Sequence, residues 1–419
     1  MAAVGSVATI CLLLLTVARY ESVVALGFMF FGVLLVQPAM PDLIFGIVIL
    51  VAILTGRARW TLRRSPPLVV YALGSLIVLN MLAAAWAHSV GRAVFFLSIT
   101  TYLALFGLWL AGYVDSKTRA RRLVESVTIG ATVTAILAIV ALFVPFPGSA
   151  EFLYFHRAKG LFNDPNVFGP FMIVPCAFIL AELVEPTLLA WRRRWLVVVL
   201  LVCGAGVLFS YSRAAWLNTS LVVTTMIAAY ALRRGGLRQA TKTLGLGLAA
   251  LGALVAALFL TGSTSFFLSR AHVQYYDTSR FHGQDASFEL ARTHLFGIGP
   301  GQYLDVVGIA AHSTFLRALG EEGVLGLALI VLLLFTTLIL ACGNVVRGRS
   351  TFGISAVPLL GLWVGLIANS FFVDTLHWRH LWLVAGLIWA GAGVPEARGA
   401  RSVPSHDDVG QAMRKTLLR

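Results

Sequence analysis

Long apolar runs alternate with short polar segments along most of the chain. Several of the runs reach the ~20 residues with which a helix crosses a bilayer. They lie at 4–18, 23–37, 42–56, 67–87, 93–113, 123–145, 168–184, 195–211, 214–232, 243–262, 322–342, 354–372 and 380–394. The first two are short and can form one half-inserted hairpin. The pattern therefore predicts about 12 or 13 transmembrane helices.

The composition agrees with this pattern. Of the 419 residues, 59% are hydrophobic and 12% are charged, whereas a soluble domain carries about 25% charged residues. This composition excludes a soluble cytosolic enzyme, a disordered chain and a small disulfide scaffold. We predict an all-α polytopic membrane protein with a single transmembrane domain over residues 1–393 and a short basic cytoplasmic tail over 394–419.

Basic residues cluster in connections that are separated by even numbers of predicted helices, so all the clusters can face one side. They lie at 57–64, 117–122, 192–194, 233–242 and 347–349. Under the positive-inside rule that side is the cytoplasm, and it then holds 23 of the 32 Lys and Arg residues but 8 of the 18 Asp and Glu residues. The net charge of +14 therefore reflects topology and does not indicate a nucleic-acid partner. The side of the N-terminus stays open.

Two of the connections predicted to face outward are long, at about 146–167 and 263–321. Long loops within a compact protein usually have a function. Outward polar residues cluster in these loops and at two helix junctions, at 155–166, 211–213, 276–303 and 312–323.

These segments hold several cations and one histidine, His312, that are suited to group-transfer chemistry; the cations include Arg157, Lys159, Arg213, Arg280 and Arg292. Arginine binds phosphate oxygens bidentately and stays charged, and a neutral histidine can take a proton from a hydroxyl near pH 7. The combination suits transfer of a group from a diphosphate to an alcohol. No Asp-x-Asp, His-x-x-x-His or cysteine pair offers a metal site, so we expect neither metal nor cofactor.

Structural alternatives stay open for these residues. An arginine at the outer membrane boundary is often an anchor whose charged end reaches the headgroups. His312 precedes Ser313, a candidate helix N-cap, so the histidine can belong to a capping turn. The glycine-rich stretch 297–301 lacks the strand–loop–helix context of a dinucleotide-binding motif, and we interpret it as a turn-forming loop.

Several short motifs resemble one known family. Residues 160–166 (GLFNDPN) follow a mid-chain run, and 212–216 (SRAAW) lie at a helix junction. In the long outward loop, Ser279-Arg280 precedes 295–301 (LFGIGPG), and His312-Ser313 comes before Leu316, Glu321, Gly323 and Gly326. In order and spacing, over about residues 60–390, the chain resembles the O-antigen ligase and Wzy-type O-antigen polymerase superfamily of bacterial membrane glycosyltransferases.

The resemblance implies a GT-C-like helical fold in the bacterial cytoplasmic membrane, with the active site facing outward. It implies a polyprenyl-diphosphate-linked glycan as donor and a hydroxyl on a glycan, lipid or protein as acceptor, with inversion and without metal. Arg213 and Arg280 then correspond to the diphosphate-binding residues and His312 to the base. Arg157 and Lys159 are weaker candidates for the same anionic group.

The chain departs from the family pattern near the loop arginine. Gln284 stands where members often have tryptophan, and Thr293-His294-Leu295 lacks their proline, so Arg292 remains an alternative to Arg280. Ligase, polymerase and protein-glycosylating activities all stay open. The alternative from another class is a transporter or flippase of lipid-linked oligosaccharide, which usually has charged residues deep within its helices. Here the predicted charges lie at the outer rim.

Overall fold

The computed structural model describes residues 11–36, 38–60, 65–233, 236–272 and 275–393, with all their side chains except those at 59, 60, 271 and 275–282. The helices in these ranges, numbered along the chain, are α1 Cys11–Ala18, α2 Tyr20–Met29, α3 Met40–Leu54, α4 Pro67–Ala83, α5 Val90–Tyr113, α6 Lys117–Phe143, α7 Pro165–Val184, α8 Arg193–Phe209, α9 Arg213–Ala231, α10 Leu237–Leu260, α11 Thr264–Ala271, α12 Tyr275–Thr293, α13 Tyr303–Val307, α14 Thr314–Glu321, α15 Gly323–Val346, α16 Ala356–Ser370 and α17 Arg379–Ala392.

Each of the predicted apolar runs contains a helix. By length and composition, seven helices in the described ranges can cross a membrane, or up to eight if α1 and α2, which are bent by 118°, form one span. The all-α, multi-pass class is thereby confirmed. Several of the other runs form shorter helices, such as α3 and α16 with 15 residues each. The predicted tail at 394–419 lies outside the described residues.

Short elements interrupt the helical pattern. Four 3₁₀ turns cover Phe30–Gly32, Arg57–Trp60, Ala84–Trp86 and Ser149–Phe152. Two small antiparallel hairpins pair β1 Leu153–Tyr154 with β2 Arg157–Ala158, and β3 Ser350–Thr351 with β4 Ile354–Ser355. The first hairpin turns at Phe155 and His156, which both have positive φ, as a two-residue type I′ turn requires.

Small polar residues set many of the helix starts. Side-chain oxygens at the N-cap accept a backbone amide in the first turn of α5, α6, α7, α9, α14 and α16; the capping residues are Ser89, Ser116, Asp164, Ser212, Ser313 and Ser355. Such caps satisfy amide groups that have no partner within the helix.

Helix α7 is the centre of the bundle. In its apolar window 89% of residues are buried, compared with 11% for α10 at the periphery. Beside α7, the rings of Phe28, Phe31, Phe45, Phe106 and Trp109 form a cluster with centroids mostly 5–6.5 Å apart. Aromatic side chains bury large apolar areas, so this cluster ties α2, α3 and α5 together.

The ion pairs between elements respect the predicted division of charge. Arg119 pairs with Glu21, and Arg233 with Glu185, all four assigned to the cytoplasmic side. Within the part of the chain that the structure describes, the other pairs between elements are all assigned to the outward side; they are Arg92–Asp305, Arg317–Asp374 and Arg379–Asp42. We therefore name the two ends of the bundle the Arg119 end and the Arg213 end.

Candidate functional site

Two helix starts at the Arg213 end share an unusual geometry. Tyr211 and His312 are non-glycine residues with a positive φ of 47°. Each precedes an extended serine, Ser212 or Ser313, whose hydroxyl oxygen accepts the backbone amide three residues ahead at 3.4 Å. A left-handed conformation costs such residues about 1–2 kcal/mol, and it persists where the surrounding packing enforces it. The two junctions that carry the candidate arginine and histidine are thus both strained turns.

Helix α16 brings these two junctions to one end of the bundle. The hydroxyl of Ser313 donates to the backbone oxygen of Ser370, the last residue of α16, at 3.3 Å. Helices α9 and α16 pack against each other, with Gly365 near the end of α16 lying against the side chain of Asn218 near the start of α9. This antiparallel register places Arg213 level with the end of α16, and hence near the histidine junction.

Arg213 is half-buried under α11. Its Nη1 donates to the backbone oxygen of His272 at 3.1 Å, immediately after the last residue of that helix. Two aromatic contacts hold α11 over the first turn of α9: Tyr211 with Phe266, at 4.6 Å between centroids, and Trp216 with Phe267, at 4.3 Å. Arg213 is the first residue of α9, and the backbone amides at a helix start favour an anion.

The side chain of Arg157 is buried and hydrogen-bonds to other segments of the protein. Its Nε donates to the backbone oxygen of Ser210 at 2.8 Å, and its Nη2 donates to Oδ1 of Asn166 at 2.9 Å. These bonds join hairpin β1–β2 to the end of α8 and the start of α7. Lys159 follows the hairpin and is half-buried.

The two loop arginines lie on the same helix, α12. The Arg280 side chain lies outside the described part, so its proposed role stays a prediction. Arg292 is largely exposed, and its Nη1 lies 3.8 Å from the carboxylate of Glu289 one turn earlier. That arrangement is typical of a solvated surface pair.

A buried ion cluster around Arg317 was not assigned a role from the sequence. The guanidinium lies 3.6 Å from the carboxylate of Glu321 and 3.2 Å from that of Asp374, and its side chain is 8% exposed. Glu322 is also buried and adjoins the cluster. The spacing of Arg317 and Glu321 is a sequence signal for a helical ion pair. The partner Asp374 is remote in sequence, and only the fold brings it there.

This cluster fixes the helix that follows His312. Oγ1 of Thr314, in the first turn of α14, accepts the backbone amide of Thr375 at 2.8 Å. Thr375 is next to Asp374, and its hydroxyl lies 2.6 Å from that of Ser370. The first turn and the middle of α14 are therefore attached to the segment that links α16 and α17, which positions the histidine indirectly.

The surroundings of the cluster favour the protonated form of its two glutamate carboxyl groups. Burial raises the pKa of Glu322 to about 8, although the positive charge of Arg317 opposes the shift. Burial also raises the pKa of Glu321. For Arg317, burial alone would lower the pKa, but the carboxylates of Asp374, Glu321 and Glu322 outweigh it and raise the pKa above its usual value. With one cation among three carboxyl groups, Glu322 is largely neutral below pH 8.

The glycine-rich stretch 297–301 forms a turn held on this cluster. The amides of Gly301 and Tyr303 donate to the carboxylate of Glu321 at 2.8 and 3.0 Å, and Nε1 of Trp86 donates to the backbone oxygen of Gly297 at 3.1 Å. Gly297, Gly299 and Gly301 all have positive φ, which explains the glycines by backbone conformation. The amide of Gly301 donates to a carboxylate of the protein itself, and those of Gly297 and Gly299 donate to backbone oxygens of His294 and Glu321.

Across the residues that the structure describes, no group of three or more His, Cys, Asp or Glu side chains is arranged to hold a metal ion. No protein-family profile and no curated protein matches the chain.

Proposed function

We propose that the protein is a membrane glycosyltransferase of the O-antigen ligase or polymerase type. It would move a glycan from a polyprenyl-diphosphate donor to an acceptor hydroxyl at the outer side of the bacterial cytoplasmic membrane. The observation that carries the proposal is the placement of Arg213 and His312 at two strained helix starts on the same end of the bundle. A cation and an imidazole held there by packing match what a diphosphate leaving group and a hydroxyl nucleophile require.

The proposed reaction uses each side chain for one step. A nitrogen of His312 takes the proton of the acceptor hydroxyl while its oxygen bonds to the anomeric carbon of the donor. The bond from that carbon to the diphosphate oxygen breaks, and polyprenyl diphosphate leaves with the electron pair. Arg213, with Arg280 as the second predicted cation, stabilises the charge on the leaving group, so the reaction needs no metal ion.

Reconstitution tests the proposal. Purified protein in liposomes receives a labelled polyprenyl-diphosphate glycan and candidate acceptors, and the transfer of label and its movement across the bilayer are measured separately. Covalent transfer that depends on His312 supports the enzyme. Label that crosses the bilayer without transfer would instead support a flippase and overturn the proposal.

The outward orientation has its own test. In a cysteine-free background, Asp285→Cys should react with an impermeant maleimide on intact cells, whereas Arg238→Cys should react only after lysis, because the positive-inside rule assigns them to opposite sides. Both residues are exposed. The reverse pattern would place the Arg213 end in the cytoplasm.

A further inference from the structure

A separate cavity opens at the Arg119 end, opposite the candidate site. Its volume is about 370 Å³, within the range of pockets that hold small ligands. Ends of α2, α3, α5 and α6 form its walls. The lining residues are Tyr20, Ala52, Thr55, Gly56, Arg57, Trp109, Gly112, Tyr113, Asp115 and Arg119.

The two arginines of this cavity differ in their partners. Arg119 is neutralised within the protein, with Nη2 at 2.7 Å from Glu21 and Nη1 at 2.8 Å from Asp115. Arg57 is exposed, and its guanidinium lies 4.6 Å from the centroid of the Tyr20 ring. Within the described ranges, no carboxylate lies within 4.0 Å of it. Among the described residues, the positive charge of Arg57 therefore contacts an aromatic ring but no carboxylate.

Hydrogen bonds hold the aromatic wall rigidly. Nε1 of Trp109 donates to the hydroxyl of Tyr20 at 2.9 Å, and the Tyr113 hydroxyl donates to Glu21 at 2.6 Å. The rings of Trp109 and Tyr113 stack at 4.9 Å. Because Tyr20 accepts through its oxygen, its phenolic hydrogen can be donated to a ligand beside Arg57.

The rim of the cavity is apolar on one side. Ile53 and Leu54, which precede Thr55 at the end of α3, are 55% and 73% exposed. In a membrane, side chains of this kind at a helix end face acyl chains. A cation with an aromatic support and an apolar rim is the arrangement expected where a lipid headgroup enters between helices.

We propose that this cavity binds a phosphate diester, with Arg57 and Tyr20 on the phosphate oxygens. The apolar rim favours a phospholipid of the adjacent leaflet over free phosphate as its source. Under the predicted topology this is the cytoplasmic leaflet. The proposal is independent of the glycosyltransferase function, since it concerns other residues at the other end of the bundle.

Native mass spectrometry of the full-length protein tests the proposal. Phosphatidylglycerol should remain bound, and diacylglycerol, which has the same chains but no phosphate, should bind at least about tenfold more weakly. Arg57→Gln should weaken phosphatidylglycerol binding about tenfold, and Arg57→Lys less, because lysine keeps the charge without the planar fork. The matched control is Arg238→Gln, an exposed arginine on the same predicted side, which should bind as the wild type does.

Three results would decide against the proposal. In the first, Arg57→Gln and Arg238→Gln bind phosphatidylglycerol equally, and both variants have the thermal stability of the wild type without lipid. Arg57 then does not bind the lipid. In the second, diacylglycerol binds as tightly as phosphatidylglycerol, which would show that the phosphate group does not contribute to binding. In the third, no lipid is retained, and inorganic phosphate stabilises the wild type but not Arg57→Gln. The ligand is then free phosphate and not a phospholipid.

Discussion

Arg317 and Arg213 lie at the same end of the bundle but in opposite surroundings. Arg317 is buried and faces the carboxylates of Glu321 and Asp374, whereas Arg213 is half-buried and donates to a backbone carbonyl at a strained helix start. A cation that is neutralised inside the protein mainly fixes the fold. A cation at an accessible helix start can bind an external anion. We therefore expect Arg317 to position other groups and Arg213 to bind the proposed donor.

The largest effect is expected where the buried cluster is broken. Arg317→Met leaves the buried carboxylate of Glu321 and the partly buried carboxylate of Asp374 without their cation, which should cost about 3–5 kcal/mol of stability. Thermal unfolding in detergent should show a large decrease in Tm. The matched control is Arg92→Met, which breaks the half-exposed pair with Asp305 and should cost at most about 1 kcal/mol. Similar small decreases for both variants would show that the cluster does not hold the fold.

His312 should affect turnover rather than folding. General-base catalysis is worth about 10²–10⁴ in rate, or roughly 3–5 kcal/mol. His312→Ala should reduce turnover at least about a hundredfold and keep donor binding, and His312→Gln should be nearly as poor, since an amide cannot take the proton.

The control for this prediction is His294→Gln, an exposed histidine of the same connection, which should retain activity. A well-folded His312→Gln enzyme with near-normal turnover would remove the residue from the mechanism. A loss of Tm that parallels the loss of activity would instead support a purely structural turn.

A smaller effect is expected from changing the geometry of the guanidinium. Arg213→Lys keeps the charge but replaces a bidentate fork with a point charge, so donor affinity should fall by about tenfold. Arg280→Lys should behave alike if it binds the same diphosphate, and Arg270→Lys is the control for a membrane-boundary arginine. Equal, mild changes in the donor-binding assay at all three positions would argue that none of them contacts phosphate.

The helices could be predicted from the sequence because long apolar runs have few alternatives in a bilayer. The run at 195–211, for example, forms α8 almost as predicted. The lengths differ because a helix packed within the bundle need not span the full hydrocarbon thickness. The count of membrane-crossing helices was therefore less predictable than the helices themselves.

The site was predictable only in part. Arg213 stands out in the sequence because it lies in a very short turn between two apolar runs, whereas His312 lies in the long loop at 263–321. The proposed roles of both residues stay predictions. The Arg317–Asp374 pair and the placement of Arg57 beside Tyr20 depend on tertiary packing between distant segments, which no local pattern encodes. The bonds from Arg157 to Ser210 and Asn166 likewise depend on the fold, and its weaker candidacy for the donor's anionic group stays a prediction.

The smallest expected effect concerns the proton on Glu322. Its pKa is raised from 4.5 to about 8 by burial, so the folded state binds this proton more tightly than the unfolded state does. The resulting stabilisation is fully present below about pH 4.5 and is lost as the pH rises through about 8.

Glu322→Gln, which mimics the neutral carboxyl, should therefore abolish part of the decrease in Tm between pH 6 and pH 9. At pH 9 the Tm of Glu322→Gln should exceed that of the wild type, while at pH 5 the two should unfold together. The control is Glu289→Gln, whose carboxylate is largely exposed and should leave the profile unchanged. Parallel Tm profiles for wild type and Glu322→Gln across this range would mean that the carboxyl is ionised within the cluster, and that Arg317 faces one more negative charge than the comparison with Arg213 assumes.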